Sequence, residues 1–156
     1  KEIDEKGYYE FSNAMFQKRE QVLPESVFHY LYDKVDGQTW YVQAILNRIY
    51  SNQTGEIADI DVDLAIRELI DEEEVAFERY YSSLTTNQAA LILAIAHEQH
   101  VKSPMSQSFM SKYRLPALSS VKMALASLAE SQFIYQYHDG YIVYDRFFGM
   151  WLRRLV

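Results

Sequence analysis

"LPALSSVKMALASLAES", residues 115–131, is the stretch whose reading decides the fold. Val121, Ala124, Leu125 and Leu128 recur at three- and four-residue steps, so they share one face of an α-helix. Leu115–Leu118 reads as a turn, and Ser119 or Ser120 is the expected N-cap. The outward positions are Lys122, Met123, Ala126, Ser127 and Glu130. Only one of them is basic, and none is the Arg, Asn or Gln that reads a base edge bidentately. Exposed Met and Ala suit a protein contact instead.

Two helices precede this one. Thr85 with Gln88 three residues on is a capping-box pattern, opening a helix over 86–100 that is apolar at Ala89, Leu91, Ile92, Ile95 and Ala96. Lys102–Met105 breaks it, and 106–113 is a short second helix. After the quoted stretch, 133–138 and 141–144 are rich in aromatic and β-branched residues. They flank Asp139-Gly140, the dipeptide that favours a two-residue hairpin turn. Asp145 then caps a closing helix over 146–154. Three helices followed by a hairpin is the order of a winged helix-turn-helix with a small β-hairpin wing.

The first half reads differently. Tyr8, Phe11, Met15 and Phe16 predict a helix over 7–19. Pro24 opens a second, with Val27, Phe28, Leu31 and Val35 on one face, and Gly37 stands where a helix end takes a left-handed residue. Thr39 is placed to cap a third, which buries Val42, Ile45, Leu46 and Ile49. Residues 51–55 read as a loop. Asp61 or Asp63 caps a long fourth helix whose face runs through Ile66, Leu69, Ile70, Phe77 and Tyr80 to about Ser82. The expectation is a mainly α chain with two domains, a bundle of about four helices over 1–84 and a winged helix over 85–156.

Charge follows the same division. Residues 1–84 hold 8 Lys/Arg against 18 Asp/Glu, a balance of −10, and residues 85–156 hold 7 against 4, a balance of +3; together they make the net −7 of the chain. Apolar residues form 49% of the composition, enough for a packed core and too many for a disordered segment. The chain has no cysteine, which excludes a disulfide scaffold, a thiolate zinc site and cysteine catalysis, and fits a cytoplasmic location. Its longest apolar run, Ala89–Ala96, is far short of a membrane span, and no signal-peptide pattern is present. The first residue is Lys1 rather than Met, which fits a piece of a longer protein.

Four stretches in this order, "VDGQTWYVQAILNRIY", "LTTNQAALILAIA", "LSSVKMALASLAESQFIYQ" and "YIVYDRFFGMWLRRL", resemble the C-terminal part of a prokaryotic AAA+/STAND-type ATPase of the archaeal-type group. The resemblance spans nearly the whole chain. It implies that residues 1–84 are the helical lid that follows a nucleotide-binding core, and that the winged helix follows the lid. It also implies that the turn Gly37-Gln38-Thr39 lies close to bound nucleotide, with Thr39 where family lids carry proline. Asp145 and Trp151-Leu152 match the family's closing motif, while Arg146 stands in place of its proline. ATP or ADP with Mg is implied for the full-length protein, held by a core that partners this chain in cis.

No G-x-x-x-x-G-K-[ST] loop occurs, so this chain has nothing to cradle phosphates and is expected to be non-catalytic. Other chemistry is weaker still. Ser119-Ser120-Val121-Lys122 fits S-x-x-K, but the K-T-G and S-D-N elements that accompany it are missing. His97 and His100 are three apart, not the four that bring two zinc ligands onto one helix face. The acidic run 71–74 reads as a solvated helix face, and the aromatic residues mostly fall at core spacing. No catalytic residue and no metal ligand is therefore expected. The winged helix is expected to bind a protein partner or DNA, with Lys102, Lys112, Arg114, Ser119, Ser120 and Lys122 as the candidate contacts. The alternative reading is a free-standing winged-helix DNA-binding regulator, its acidic half serving as a ligand or dimerisation module.

Overall fold

The computed structural model of the chain describes residues 4–52 and 55–155. Among them the backbone forms nine α-helices and one β-hairpin, in two compact units, Lys1–Asp71 and Glu72–Val156. The mainly α architecture with a small antiparallel wing is the one the sequence predicts.

The first unit contains α1 (Glu5–Gln17), α2 (Glu25–Lys34), α3 (Thr39–Asn52) and α4 (Asp59–Glu72). Helix α1 starts two residues before the apolar spacing suggests, because Asp4 Oδ2 accepts the Gly7 N–H at 3.0 Å. Phe28 of α2 is buried, with the rings of Tyr8 and Tyr9 of α1 at 5.6 and 5.7 Å. Val42, Ile45, Leu46 and Ile49 of α3 are all buried, as their spacing predicts. Thr39 is the first residue of that helix, and the carbonyl of Gln38 receives the Val42 N–H at 3.0 Å. Ser51 and Asn52, expected in a loop, complete α3; residues 53 and 54 of that loop lie outside the described residues. Asp61 is not the cap of α4 but its third residue, reaching back to the Ala58 N–H at 2.8 Å. Asp63 instead accepts from the Tyr30 hydroxyl at 2.7 Å.

One ion-pair cluster on this unit sets a pH dependence. His29 presents Nδ1 to Glu5 at 2.6 Å and Nε2 to Asp33 at 3.1 Å. Only the imidazolium can donate from both nitrogens. The hydrogen bond to Glu5, then the negative charge of Asp33, raise the His29 pKa above its ordinary value. A raised folded-state pKa stabilises the fold below the unfolded value, near 6.5. That contribution is lost as pH rises through the folded pKa. NMR titration is expected to place His29 above the value for free histidine, and Glu5→Gln to bring it back towards it.

The expected long fourth helix is interrupted. Glu73 has φ −98° and ψ 3°, and α5 (Glu74–Ser82) begins after it. Phe77 of α5 is 2% exposed and lies 5.4 Å from the ring of Phe148 and 6.1 Å from Trp151. Both belong to α9 (Arg146–Leu152), so α5 stands with the second unit although its charge resembles the first.

The rest of the second unit is α6 (Thr86–Glu98), α7 (Gln107–Lys112), α8 (Leu118–Glu130), β1 (Ile134–Tyr137), β2 (Gly140–Val143) and then α9. The capping box at Thr85 and Gln88 forms in both directions. Helix α6 packs against α8, β2 and α9 and supplies Leu91, Ile92 and Ile95 to the core. Val121, Ala124, Leu125 and Leu128 of α8 are buried, as read from 115–131. Its predicted cap is corrected. Helix α8 begins at Leu118, two residues earlier than a Ser119 cap allows, and Ala117 holds the N-cap position without a side-chain bond. Ser119 and Ser120 therefore lie in the first turn. Ser127, read as outward, is half-buried and accepts from Gln88 Nε2 at 2.7 Å.

The wing differs by one residue from its prediction. Tyr137 pairs with Gly140, so the turn residues are His138 and Asp139, and His138 takes the left-handed conformation with φ 56°. Gly140 is already strand. A Cβ there would stand 2.7 Å from the Val101 carbonyl oxygen, because Val101 bridges Tyr141 antiparallel and sets a third segment beside β2. Asp145 caps α9 as expected, accepting from Phe147 and Phe148 N–H at 2.9 and 3.1 Å.

Candidate interaction surface

The contacts expected from the sequence fall between α6 and α7 (Lys102), at the end of α7 (Lys112 and Arg114) and in the first half of α8 (Ser119, Ser120 and Lys122). Buried α8 side chains leave Leu118, Ser119, Lys122, Met123, Ala126, Ala129 and Glu130 exposed. Met123 is 74% and Leu118 55% exposed. This surface is apolar and almost neutral.

The candidate cations are not equivalent. Lys102 Nζ lies 2.8 Å from Asp139 Oδ2 at the wing turn. That pairing raises the Lys102 pKa and lowers that of Asp139. Lys112 of α7 bonds Glu98 at the end of α6, and the Tyr113 hydroxyl donates to the same carboxylate oxygen at 2.6 Å. Lys112 first, and then Tyr113, hold the Glu98 carboxyl below its usual range. Arg114 and Lys122 are exposed, and among the described residues neither has a carboxylate partner. Exposed ion pairs are weak, around 0–1 kcal/mol. They nonetheless place Asp139 and Glu98 beside the very lysines that would approach a phosphate. The sequence reading missed these partners because they lie 37 and 14 residues away in the chain. Of the six candidates, Ser119 and Lys122 share the exposed side of α8, Ser120 is half-buried, and Lys102 lies between α6 and α7, paired to Asp139 of the wing turn.

His100 sits under the wing turn. Its Nε2–H donates to the Tyr137 carbonyl at 3.1 Å, and Asp139 Oδ1 lies 3.4 Å away. Neither His97 nor His100 gathers metal ligands; no group of three His, Asp or Glu is placed to hold an ion among the described residues. No helix there is long and apolar enough to cross a membrane.

Helix α5, α6–α8, the wing and α9 thus form one core with an exposed α8. Residues 75–154, just over half of the chain, match the family model described as a probable winged helix domain. The chain belongs to this winged helix family. No curated protein and no solved structure matches it. The match begins on α5, which makes Phe77 and its contacts to α9 part of the winged helix domain. A winged helix is a module for binding DNA or protein, and here α8 occupies the position of its recognition helix.

The other expected site is the turn Gly37-Gln38-Thr39 of the first unit. Asp36 and Gly37 both have positive φ, 51° and 64°. The Gly37 N–H bonds the Tyr32 carbonyl at 2.9 Å and the Asp36 N–H bonds that of Asp33 at 3.4 Å, the two bonds of a Schellman cap on α2. The Gln38 N–H bonds Val35 at 3.1 Å. Three successive amides are therefore used within the turn, and Gly37 is buried. A nest of free N–H groups for phosphate is absent from 36–38, so the backbone of this turn does not fit a nucleotide. A Cβ on Gly37 would stand against the hydroxyl end of the Tyr32 ring, nearer than van der Waals contact allows. Gly37→Ala is expected to destabilise the first unit by about 2 kcal/mol, from the left-handed backbone and the collision together. Thermal unfolding followed by circular dichroism measures it.

Proposed function

We propose that this chain is a regulatory, non-catalytic C-terminal region of an AAA+/STAND-type ATPase, in which the winged helix engages a protein partner through α8. The exposed face of α8 carries this reading. It offers Met123 and Leu118 to solvent and only Lys122 as a cation. Exposed apolar side chains gain from burial against another protein, about 25 cal/mol for each Å² removed from water. DNA binding depends instead on cations free to neutralise phosphates.

The ATPase context rests on the four quoted stretches and on a helical unit preceding the winged helix. The helices of the first unit, α1–α4, would serve as the lid, and the upstream core in cis would hold ATP or ADP with Mg. Because the backbone of 36–38 is internally bonded, the lid's part in this scheme is to move with the core. A phosphate-binding motif upstream of Lys1 in the full gene product, with ATP binding by that product, upholds the context. A full gene product that lacks such a motif and binds no ATP overturns it.

The choice between protein and DNA has a quantitative test. Duplex binding to the chain is measured by fluorescence anisotropy at several salt concentrations. Two unpaired cations predict a slope of log K against log salt no steeper than about −2, at roughly 0.9 per phosphate contact. A slope of about −3.6, four phosphate contacts at roughly 0.9 each, would mean that Lys102 and Lys112 leave their carboxylates for phosphates, and would establish the DNA-binding alternative.

A further inference from the structure

We propose that α8 pairs with the α8 of a second copy of this chain, antiparallel across a two-fold axis at Ala126. This rests on the reading that α8 engages a protein, and it names that protein. Lys122, Ala126 and Glu130 stand four residues apart, so they form one row along the helix. All three are exposed, and Met123 beside them is 74% exposed. Among the described residues neither Lys122 nor Glu130 has an ion-pair partner. They stand about 12 Å apart along the axis, too far to pair with each other.

The row is complementary to itself. Ala126 is its midpoint, with the cation one turn before it and the carboxylate one turn after. A two-fold axis at Ala126 reverses the row, so each Lys122 meets Glu130 of the second copy. One isologous contact thereby pairs both charges twice. Rows of this spacing lie along one another when two helices cross at about −50°, the commonest packing angle in globular proteins. The methyl side chain at the crossing lets the axes approach to about 8–10 Å. Any second copy of the chain satisfies this pattern by symmetry, which is why the charges select that occupant. Helix α8 has 13 residues. At about 20 Å in length it offers a small contact, in the size class of weak, concentration-dependent complexes.

The test is sedimentation equilibrium of the full chain from about 10 μM to about 1 mM, the range in which so small an interface associates. The unaltered chain is expected to dimerise within it. Lys122→Glu and Glu130→Lys each set like charges against one another at both ends of the contact. Each is expected to weaken dimerisation about tenfold. An equimolar mixture of the two variants is expected to restore it, because both cross pairs are again opposite in sign. The chain has no cysteine, so Ala126→Cys supplies a single thiol on the two-fold axis. Mild oxidation is expected to join two copies through it, within disulfide reach. Gln136→Cys, exposed on the wing, should stay monomeric. Every substituted position is exposed, so the fold is left intact. A chain that remains monomeric throughout overturns the proposal and gives α8 to a different protein. Dimers insensitive to the two charge reversals, or not restored in the mixture, overturn it too. The duplex-binding slope tests the underlying reading separately, since a steep slope removes the protein contact whatever the state of association.

Discussion

Phe77→Ala is expected to lower the stability of the winged helix domain by about 3–4 kcal/mol, the usual range for deleting a buried phenyl ring. Phe77 is 2% exposed and lies against the rings of Phe148 and Trp151 of α9. For a domain of this size each kcal/mol moves the melting temperature by about 4–8 °C, so the transition should fall by more than 10 °C. Denaturant unfolding followed through Trp151 fluorescence, in a Trp40→Phe background, measures the change. The midpoint should drop with the slope unchanged. Val75→Ala, two residues away on the same helix but 70% exposed, should stay within about 0.5 kcal/mol. A loss below about 1 kcal/mol for Phe77→Ala would remove α5 from this domain and return the boundary to the change of charge near residue 84.

Gly140→Ala should cost the wing about 2 kcal/mol, within the range for forcing an extra carbon into a filled site. The new Cβ meets the Val101 carbonyl oxygen at 2.7 Å and the His100 ring at 2.8 Å. The imidazole can swing away, but the carbonyl belongs to a backbone bridged to Tyr141 by bonds of 2.9 and 2.8 Å. Hydrogen exchange at the Val101 and Tyr141 amides should therefore accelerate together, and removing the His100 side chain should not restore protection. The same measurement separates two roles for this glycine. If it served a left-handed turn, Gly140→Asn would be tolerated. Its φ is not positive, so Asn should fail as Ala does. His138→Gly, at the position that is left-handed, should be neutral or stabilising.

Phe77 was placed correctly on an apolar helical face, yet its partner could not be named, because Phe148 and Trp151 lie some seventy residues away. Periodicity tells which side of a helix is inward and is silent on which element covers it. The charge boundary near 84 reflected solvation of α5's polar side, not its packing. At the wing, Asp139-Gly140 signalled a hairpin, and the hairpin is there. The register was set elsewhere, by Val101 crossing Gly140, and a one-residue slip is below what a dipeptide signal resolves.

The candidate contacts show the same division. That α8 would expose Lys122 and Met123 while burying Val121, Ala124, Leu125 and Leu128 was legible in 115–131. That Lys102 would meet Asp139 and Lys112 would meet Glu98 was not, since each pair joins separate elements. The turn at Gly37 was recognised as left-handed from glycine alone, whereas the use of its amides by α2 emerged from the closed Schellman bonds.

By itself, the sequence determined the capping box at Thr85, the cap at Asp145, the inward faces of α3 and α8 and the presence of the wing, because each depends on residues within a few positions of one another; Phe11 and Met15, read on one face of α1 with Tyr8 and Phe16, are exposed instead. Only the tertiary structure decided the domain to which α5 belongs, the register of the wing and the neutralised lysines. All of these are contacts between distant segments, fixed by how the faces fit and not by what any one segment prefers.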